Sequence, residues 1–127
     1  MKLVELALDA QKNAYSPYSN VQVGAALEMN DGVIYTGCNI ENASFTPTIC
    51  AERTAIFKAV SSGYRKGDFK AIVVSASWEG LASPCGVCRQ VMLEFFTEET
   101  KIYVRHSDGS VVETSISKLI PGGFTEF

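Results

Sequence analysis

The sequence predicts an α/β layered domain in which one mixed sheet carries helices on its faces. Helical and strand-like patterns alternate along the chain in the order α-β-β-α-β-α-β-β-α. A short apolar run, AIVV within residues 70–75, is typical of a central strand that is covered on both faces. The length of 127 residues suits one domain, residues 1–127, and no repeat or linker interrupts it.

The amino-terminal part predicts a helix followed by a β-hairpin. Apolar residues recur at helical spacing over residues 3–14, and the turn-forming sequence SPYSN at 16–20 ends this pattern. Apolar positions then alternate from residue 21 to residue 29, as they do in a strand with one buried face. The sequence NDG at 30–32 leads into a second extended run at 33–37, which completes the hairpin.

Two further helices are predicted, each preceded by a loop. Residues 39–49 are polar and contain proline, which predicts a loop. Residues 50–61 place their apolar positions on one face of a helix, which Gly63 can terminate. After the central strand, a loop over residues 77–84 leads to a helix that begins at residue 86 and ends near residue 96.

The carboxyl-terminal part predicts two short strands and a short helix. The strands cover residues 101–105 and 111–114 and are joined across the turn sequence SDG at 107–109. The helix covers residues 117–120, and an aromatic tail follows it. The sheet is therefore expected to contain five strands.

Composition and charge exclude several classes of protein. The formal net charge is −3, the isoelectric point is about 5.1 and the basic residues are scattered, so no nucleic-acid partner is expected. No apolar run approaches the ~20 residues of a membrane-spanning helix. The amino terminus carries Glu5 and Asp9 within its apolar stretch and does not resemble a signal peptide, so we expect a cytoplasmic protein. In that reducing compartment, the four cysteines are expected to be metal ligands or core residues.

Three cysteines have the spacing of a metal site. Cys85 and Cys88 form a C-x-x-C pair that opens a predicted helix, and Cys50 lies at the predicted start of another. A helix N-terminus favours the thiolate form of cysteine, which is the form that binds zinc. Three protein ligands leave the fourth position of a tetrahedral Zn²⁺ open, as in catalytic sites, where the pKa of a bound water falls toward neutrality. We therefore expect one Zn²⁺ per chain.

Two charged residues follow the first cysteine of this set. Glu52 is too close in sequence to Cys50 to share the metal comfortably, but a carboxylate beside a zinc-bound water can carry its proton to a ring nitrogen. A glutamate that is not a ligand, together with three cysteines, is typical of zinc-dependent deaminases. Because three thiolates and Zn²⁺ leave a net negative charge, we expect Arg53 to donate hydrogen bonds to a ligand sulfur and to restore the acidity of the metal.

Other interpretations of the cysteines are open at this point. A C-x-x-C pair alone also occurs in structural zinc sites and in redox proteins. Cys38 could join the other three cysteines in a closed Cys₄ site, which would make the chain a non-enzymatic zinc module with Glu52 as an ordinary acid at a helix start. Alternatively, Cys38 is a small core residue at the end of a strand.

The cysteine motifs give no role to three further residues with reactive or aromatic side chains. His106, the only histidine, lies beside a predicted turn and is expected to be solvated. Trp78 precedes the second cysteine motif and either covers the site or packs beside it. Arg89 follows that motif and suits a surface ion pair as well as a functional role.

These motifs resemble those of the small homotetrameric cytidine deaminases that have a three-cysteine zinc site. The resemblance covers nearly the whole chain and rests on the segments YSPYS at 15–19, VGAAL at 23–27, GCNIENA at 37–43, CAERTA at 50–55, SPCGVCRQ at 83–90 and PGGF at 121–124. It implies a three-layer α/β/α cytidine deaminase-like fold with a mixed five-stranded sheet. It also implies hydrolysis of cytidine and 2′-deoxycytidine to uridine and 2′-deoxyuridine, with release of ammonia, in pyrimidine salvage.

The same resemblance implies roles for four residues of the substrate site. Asn39 and Glu41 match the pair that holds the ribose hydroxyls, and the backbone N–H of Ala51 matches the group that holds the 2-carbonyl of the base. Phe124 matches an aromatic residue that enters the base pocket of a neighbouring subunit, which implies a homotetramer with active sites at its interfaces. A carboxylate accepts a hydrogen bond from a sugar hydroxyl but repels a phosphate there, so free nucleosides are expected to be better substrates than nucleotides.

One position departs from the family pattern. Val21 stands where the family usually has a phenylalanine that stacks on the pyrimidine. Stacking on an aromatic side chain contributes ~1–3 kcal/mol per base in nucleic-acid-binding proteins, so we expect weaker binding unless Phe45 or another ring substitutes. The related blasticidin-S deaminases share the zinc motifs and are the nearest alternative, although the sequence NIEN at 39–42 favours a ribonucleoside.

Overall fold

The computed structural model describes residues 2–126 as a sheet with helices on both faces. The elements follow the predicted order: α1 (Lys2–Gln11), β1 (Val23–Met29), β2 (Ile34–Cys38), α2 (Ala51–Ser61), β3 (Phe69–Ala76), α3 (Gly86–Phe95), β4 (Lys101–Arg105), β5 (Val111–Thr114) and α4 (Ile116–Leu119). Within these residues, every helix is too short or too polar to cross a membrane.

The five strands form one mixed sheet in the order β2-β1-β3-β4-β5. β3 and β4 are parallel, and the other neighbouring pairs are antiparallel. The strand that the apolar run predicts is β3, which lies at the centre of the sheet and has residues 71–75 buried. The structure therefore confirms both the mixed sheet and the position of its central strand.

The sheet separates two cores, because successive side chains of a strand point to opposite faces. On one face, Leu3 and Ala7 of α1 pack with Ala26 of β1 and with Ala71 and Val73 of β3. The core on the other face is larger and is formed by α2, α3 and α4 against β1, β3 and β4; it includes Leu27, Ile56, Ile72, Val74, Met92, Ile102 and Ile116. This arrangement confirms the three-layer α/β/α fold.

The first helix is shorter than the apolar spacing predicts. It ends at Gln11 and not at residue 14, because Tyr15 pairs with the segment that follows β2. The N–H of Tyr15 donates to the carbonyl of Asn39 (3.0 Å), and the N–H of Glu41 donates to the carbonyl of Tyr15 (2.8 Å). Apolar periodicity cannot reveal this backbone pairing, which also fixes the start of the predicted loop. The other bounds lie within two residues of the predictions.

A glycine allows α2 to lie directly on β2. A Cβ atom at Gly37 would be 2.5 Å from the carbonyl oxygen of Ala51 and 2.7 Å from the backbone nitrogen of Ala55. Both atoms belong to the first two turns of α2. The backbone of α2 therefore approaches the sheet more closely than any side chain at position 37 would permit.

We expect Gly37→Ala to destabilise the protein, because the added methyl group would force α2 away from β2. Overpacking of this kind costs about 1–3 kcal/mol of unfolding free energy, which a urea titration would measure. Gly86→Ala is the matched control, since a Cβ at Gly86 meets no atom within 4 Å. An unchanged urea midpoint for Gly37→Ala, with the control also unchanged, would contradict this account of the contact.

Candidate active site

Two helix N-termini bring the predicted metal ligands together. Cys50 is the N-cap residue of α2 and Cys85 is the N-cap residue of α3. Both have extended backbone conformations, and neither sulfur caps its own helix. Cys88 lies one turn into α3 and is fully buried. Because neither N-cap sulfur is used in capping, both remain available to a ligand at the positive ends of two helix dipoles.

The spacing of the three sulfurs fits a zinc ion. The Sγ atoms of Cys50, Cys85 and Cys88 all lie within 4.8 Å of one another, and those of Cys50 and Cys85 are 3.5 Å apart. Tetrahedral Zn²⁺ with Zn–S bonds of about 2.3 Å holds its sulfur ligands roughly 3.8 Å apart. The donor set is therefore of the right type and at the right separation for Zn²⁺.

The alternative of a closed four-cysteine site is wrong. Among residues 2–126, Cys38 does not belong to the group of converging sulfurs. It is the last residue of β2, and its carbonyl accepts a hydrogen bond from Oγ1 of Thr54 on α2 (3.1 Å). Cys38 therefore lies at the end of a strand, as the second sequence interpretation expected, but it is half-buried and belongs to neither core.

The environment of the cysteines favours a thiolate on Cys50. A hydrogen bond from Cys88 is the largest of the effects that lower the pKa of the Cys50 thiol to about 5, and Arg53 and Cys85 contribute in the same direction. The same hydrogen bond, together with burial, raises the pKa of Cys88. Since metal binding requires deprotonated thiols, a zinc ion would displace the proton that Cys88 retains.

Glu52 is a buried acid beside these sulfurs. Its side chain is 4% exposed and lines the same cavity as Cys50 and Cys85. Burial is the main cause that raises the pKa of Glu52 to about 7, and the negative charge of Cys50 acts in the same direction. A carboxyl group with a pKa near neutrality can both accept and release a proton at physiological pH.

Arg53 extends from the first turn of α2 toward the cysteines. Its Nη2 donates to the sulfur of Cys50 at 3.5 Å, as the charge argument predicts. Its Nε atom is buried and has no acceptor among the described residues. Burial opposes the charge of this guanidinium, but hydrogen bonds to Cys50 and Cys88 outweigh it and raise the pKa of Arg53. The arginine is therefore held as a cation next to the sulfurs.

A cavity of about 310 Å³ lies beside the cysteines and has room for a small molecule. Cys50, Glu52 and Cys85 form part of its lining, and Asn39 and Glu41 form another part. Most of the remaining lining is aliphatic: Val21, Val23, Ile49, Val74, Ala76 and Ala82. One cavity thus joins the predicted metal site to the predicted sugar-binding residues.

Asn39 is part of the strand framework as well as of the cavity. Its Oδ1 accepts from the N–H of Val23 (2.8 Å), and its Nδ2 donates to the carbonyl of Val21 (2.9 Å). The side chain is 8% exposed. Since a carboxamide offers two acceptor positions and two donor hydrogens, each polar atom of Asn39 retains one further hydrogen-bonding position.

The carboxylate of Glu41 is held by the turn that precedes β1. Its Oε1 accepts from the backbone N–H groups of Tyr18 (3.0 Å) and Ser19 (3.1 Å), and its Oε2 accepts from the hydroxyl of Ser19. The hydroxyl of Ser19 is the main cause that lowers the pKa of Glu41. The turn thus keeps Glu41 ionised and fixes its orientation at the cavity wall.

The remaining predicted residues occupy different positions. Ala51 is fully buried at the start of α2, where a backbone N–H has no acceptor within the helix. Phe124 is 64% exposed and does not line the cavity of its own chain. Phe45 is 90% exposed and lines a neighbouring depression. His106 accepts from the N–H of Asp108 in the β4–β5 turn (3.3 Å), where the sequence predicts it to be solvated.

Arg89 holds the second cysteine motif to the carboxyl-terminal segment, a role that sequence reasoning missed. Its guanidinium donates to the carbonyls of Pro84 (2.8 Å) and Leu119 (2.7 Å) and to the hydroxyl of Ser83 (2.8 Å). The adjacent Gln90 donates to the carbonyl of Phe124 (2.9 Å). The position of Arg89 one helical turn after Cys85 is the available signal, but two of its three acceptors are backbone carbonyls, which no sequence pattern marks.

Comparisons with known proteins agree with this geometry. Residues 1–104 match the family model described as the cytidine and deoxycytidylate deaminase zinc-binding region. Two relatives named cytidine deaminase are each 50% identical to this chain: one from Sporosarcina psychrophila over 98% of this chain and 90% of its own length, and one from Halalkalibacterium halodurans over 97% and 92%.

Solved structures show the same fold. The crystal structure of cytidine deaminase from Burkholderia pseudomallei has a TM-score of 0.92 and 47% identity, and the match covers 97% of each chain. The crystal structure of cytidine deaminase from Mycobacterium tuberculosis has a TM-score of 0.82 and 34% identity, covering 98% of this chain and 96% of the other. The matched family model and these full-length similarities show that this chain belongs to the cytidine and deoxycytidylate deaminase family.

Proposed function

We propose that residues 1–127 form one zinc-dependent deaminase domain that hydrolyses cytidine and 2′-deoxycytidine to uridine and 2′-deoxyuridine with release of ammonia. The observation that carries this proposal is a set of three cysteine sulfurs within 4.8 Å of one another, beside a cavity that is also lined by the buried Glu52. Relatives named cytidine deaminase, similar over nearly the whole chain, support the choice of substrate. Four free cysteines suit a reducing cytoplasm, where the reaction would serve pyrimidine salvage.

In this proposal Cys50, Cys85 and Cys88 hold one Zn²⁺. When bound by three protein ligands, zinc supplies an open coordination position and lowers the pKa of a water molecule there toward neutrality. Arg53 offsets part of the negative charge of the thiolates through its hydrogen bond to Cys50. The N-termini of α2 and α3 contribute to the same compensation.

Glu52 moves the protons of the reaction. It takes a proton from the attacking water and delivers it to N3 of the ring while the water oxygen bonds to C4. It then carries the second proton of that water to the departing amine, which leaves as ammonia. The same carboxyl group accepts and releases protons in turn, and a pKa near 7 suits both tasks.

Three further residues orient the nucleoside. The backbone N–H of Ala51, which has no acceptor within α2, donates to the 2-carbonyl of the base. Asn39 and Glu41 bind the ribose hydroxyls, Asn39 through the hydrogen-bonding positions that β1 leaves free and Glu41 as an ionised acceptor. A fixed carboxylate at the sugar favours a nucleoside over a phosphorylated nucleotide.

We extend the proposal to a homotetramer in which Phe124 enters the cavity of a neighbouring subunit. Phe124 is 64% exposed, and Gln90 holds its backbone carbonyl, so the ring is displayed on a fixed segment. Large apolar side chains such as Phe45 and Phe57 are also exposed on the single chain, as is common where subunits meet.

We expect Glu52→Gln to reduce turnover of cytidine by about 10²- to 10⁴-fold, because the amide cannot accept and release protons. The measurement is the ultraviolet change on conversion of cytidine to uridine, with zinc content determined on the same sample. Glu94→Gln, which removes an exposed carboxylate on α3, is the control and should be fully active. Full activity of Glu52→Gln at unchanged zinc content would rule out this mechanism.

Turnover of blasticidin S but not cytidine by the unaltered protein would favour the alternative activity.

Zinc content distinguishes the ligands from the fourth cysteine. We expect Cys38→Ser to retain one zinc ion per chain, because Cys38 lies outside the converging sulfurs. The matched variant Cys88→Ser should lose most of its zinc and its activity, because its sulfur is one of the three. Atomic absorption after dialysis against a chelator provides the measurement. Equal loss of zinc from both variants would refute the three-cysteine site.

We expect Glu41→Gln to raise KM for cytidine by about 10- to 150-fold, since hydrogen bonds to charged groups contribute roughly 1.5–3 kcal/mol. The same substitution should leave the activity on free cytosine unchanged, because that substrate has no sugar. Ser19→Ala removes a hydrogen bond that orients Glu41 but keeps the carboxylate, so its effect on KM for cytidine should be smaller. An equal loss with cytidine and with cytosine would show that Glu41 does not bind the sugar.

A further inference from the structure

The walls of the substrate cavity contain a single aromatic side chain. Of the fifteen lining residues, Trp78 alone has an aromatic ring, and this holds for residues 2–126. The residues beside it are small or aliphatic, among them Val21, Val74, Ala76 and Ala82. A pyrimidine base has two flat faces, and aromatic side chains are the groups that stack on such faces most favourably.

The other exposed rings near the cavity lie outside it. Phe45 is 90% exposed and lines the neighbouring depression, which shares Ser19, Glu41 and Thr48 with the cavity. Phe124 does not reach the cavity of its own chain. Among residues 2–126 of one chain, Trp78 is the only aromatic residue that lines the cavity beside the cysteines.

The loop that carries Trp78 is anchored on both sides. At its start, the N–H of Ser77 donates to the carbonyl of Gln22 (2.8 Å), and the N–H of Gln22 donates to the hydroxyl of Ser77 (2.9 Å). At its end, the N–H of Ala82 donates to the carbonyl of Arg105 (3.1 Å). The loop is thus tied to the residue before β1 and to the end of β4.

The indole itself is also fixed. Its Nε1 donates to the carbonyl of Leu81 within the same loop (3.3 Å), and the side chain is 42% exposed, so more than half of its surface is covered. A ring held in place by its own loop loses little rotational freedom on binding, which favours affinity. Because Trp78 lines the cavity, a ligand bound there lies next to it.

We propose that Trp78 stacks on the pyrimidine base and so contributes to affinity for the base, as distinct from the sugar. This proposal rests on the proposed function, because it assumes a nucleoside in the cavity. It assigns Trp78 to binding of the base plane and leaves proton transfer with Glu52.

Because Trp78 is the only tryptophan in the chain, its fluorescence reports this contact directly. We expect uridine, the unreactive product, to quench the intrinsic fluorescence of the zinc-loaded protein in a saturable titration. Cytidine should do the same with Glu52→Gln, in which turnover does not remove the ligand. Ribose, which carries no base, should leave the fluorescence unchanged.

Variants at position 78 test the energetic contribution. We expect Trp78→Ala to raise KM for cytidine by about five- to 150-fold, the range expected for loss of one stacked base, while kcat changes much less. Trp78→Phe should keep KM within about threefold of the unaltered protein, since phenylalanine also stacks. Leu81→Ala is the matched control, because Leu81 is 39% exposed on the same loop but does not line the cavity. It should leave KM unchanged, with zinc content and urea midpoint constant throughout.

The outcomes separate this proposal from the proposed function. If the protein deaminates cytidine but uridine saturates it in calorimetry without a change in fluorescence, Trp78 does not contact the base. Equal KM values for Trp78→Ala and the unaltered protein would likewise overturn the proposal, as would an equal rise for Leu81→Ala. If neither cytidine nor uridine binds and no cytidine is deaminated, the proposed function is wrong and the stacking role falls with it.

Discussion

The close contact between α2 and β2 is the constraint on which the site depends. Gly37 allows the backbone of α2 to touch the sheet, and the N-cap of that helix is Cys50. The first turn of α2 therefore has a fixed position relative to the core, and with it the sulfur, the buried acid and the backbone N–H groups that point out of the helix start. A metal site needs its donors held within a fraction of an ångström, and packed secondary structure provides this better than a free loop.

The site must also stabilise several negatively charged groups that lie close together. Three thiolates and a carboxylate close together repel one another, and burial makes that repulsion stronger. Burial is the main cause that raises the pKa of Glu52, and the hydrogen bond between Cys88 and Cys50 lowers the pKa of Cys50 and raises that of Cys88. The positive N-terminal ends of α2 and α3 and the guanidinium of Arg53 stabilise the negative charges of the site. A Zn²⁺ ion bound to the three sulfurs would neutralise two of the three thiolate charges and leave a net charge of −1 for Arg53 and the helix N-termini to offset.

Some parts of this protein could be predicted from the sequence because they depend on local signals. Both halves of the site are visible in the sequence. Cys85 and Cys88 form a spaced pair at a predicted helix start, and Cys50 stands shortly before Glu52. The strands β4 and β5 have clear apolar alternation and a turn between them, and their bounds agree with the prediction. Side-chain chemistry and periodicity suffice where the partners lie within a few residues of one another.

Other features of the structure depend on hydrogen bonds to backbone groups that are distant in the sequence. Tyr15 ends α1 early because its own N–H and carbonyl pair with the segment after β2. Asn39 binds backbone groups at and before the start of β1, and Arg89 binds two carbonyl oxygens in addition to the hydroxyl of Ser83. These backbone partners could not be recognised from the sequence. Trp78 also could not be placed from the sequence, because only the folded loop brings it to the cavity wall.

Two adjacent residues of α3 hold the backbone of the segment at residues 119–124. Arg89 and Gln90 are neighbours on the helix that begins at Cys85, and between them they fasten the backbone at Leu119 and at Phe124. The start of α3 is therefore linked directly to the segment 119–124. A substitution that shifts α3 would also shift Phe124 through these two hydrogen bonds, so changes near the cysteines and changes in the position of that ring are coupled.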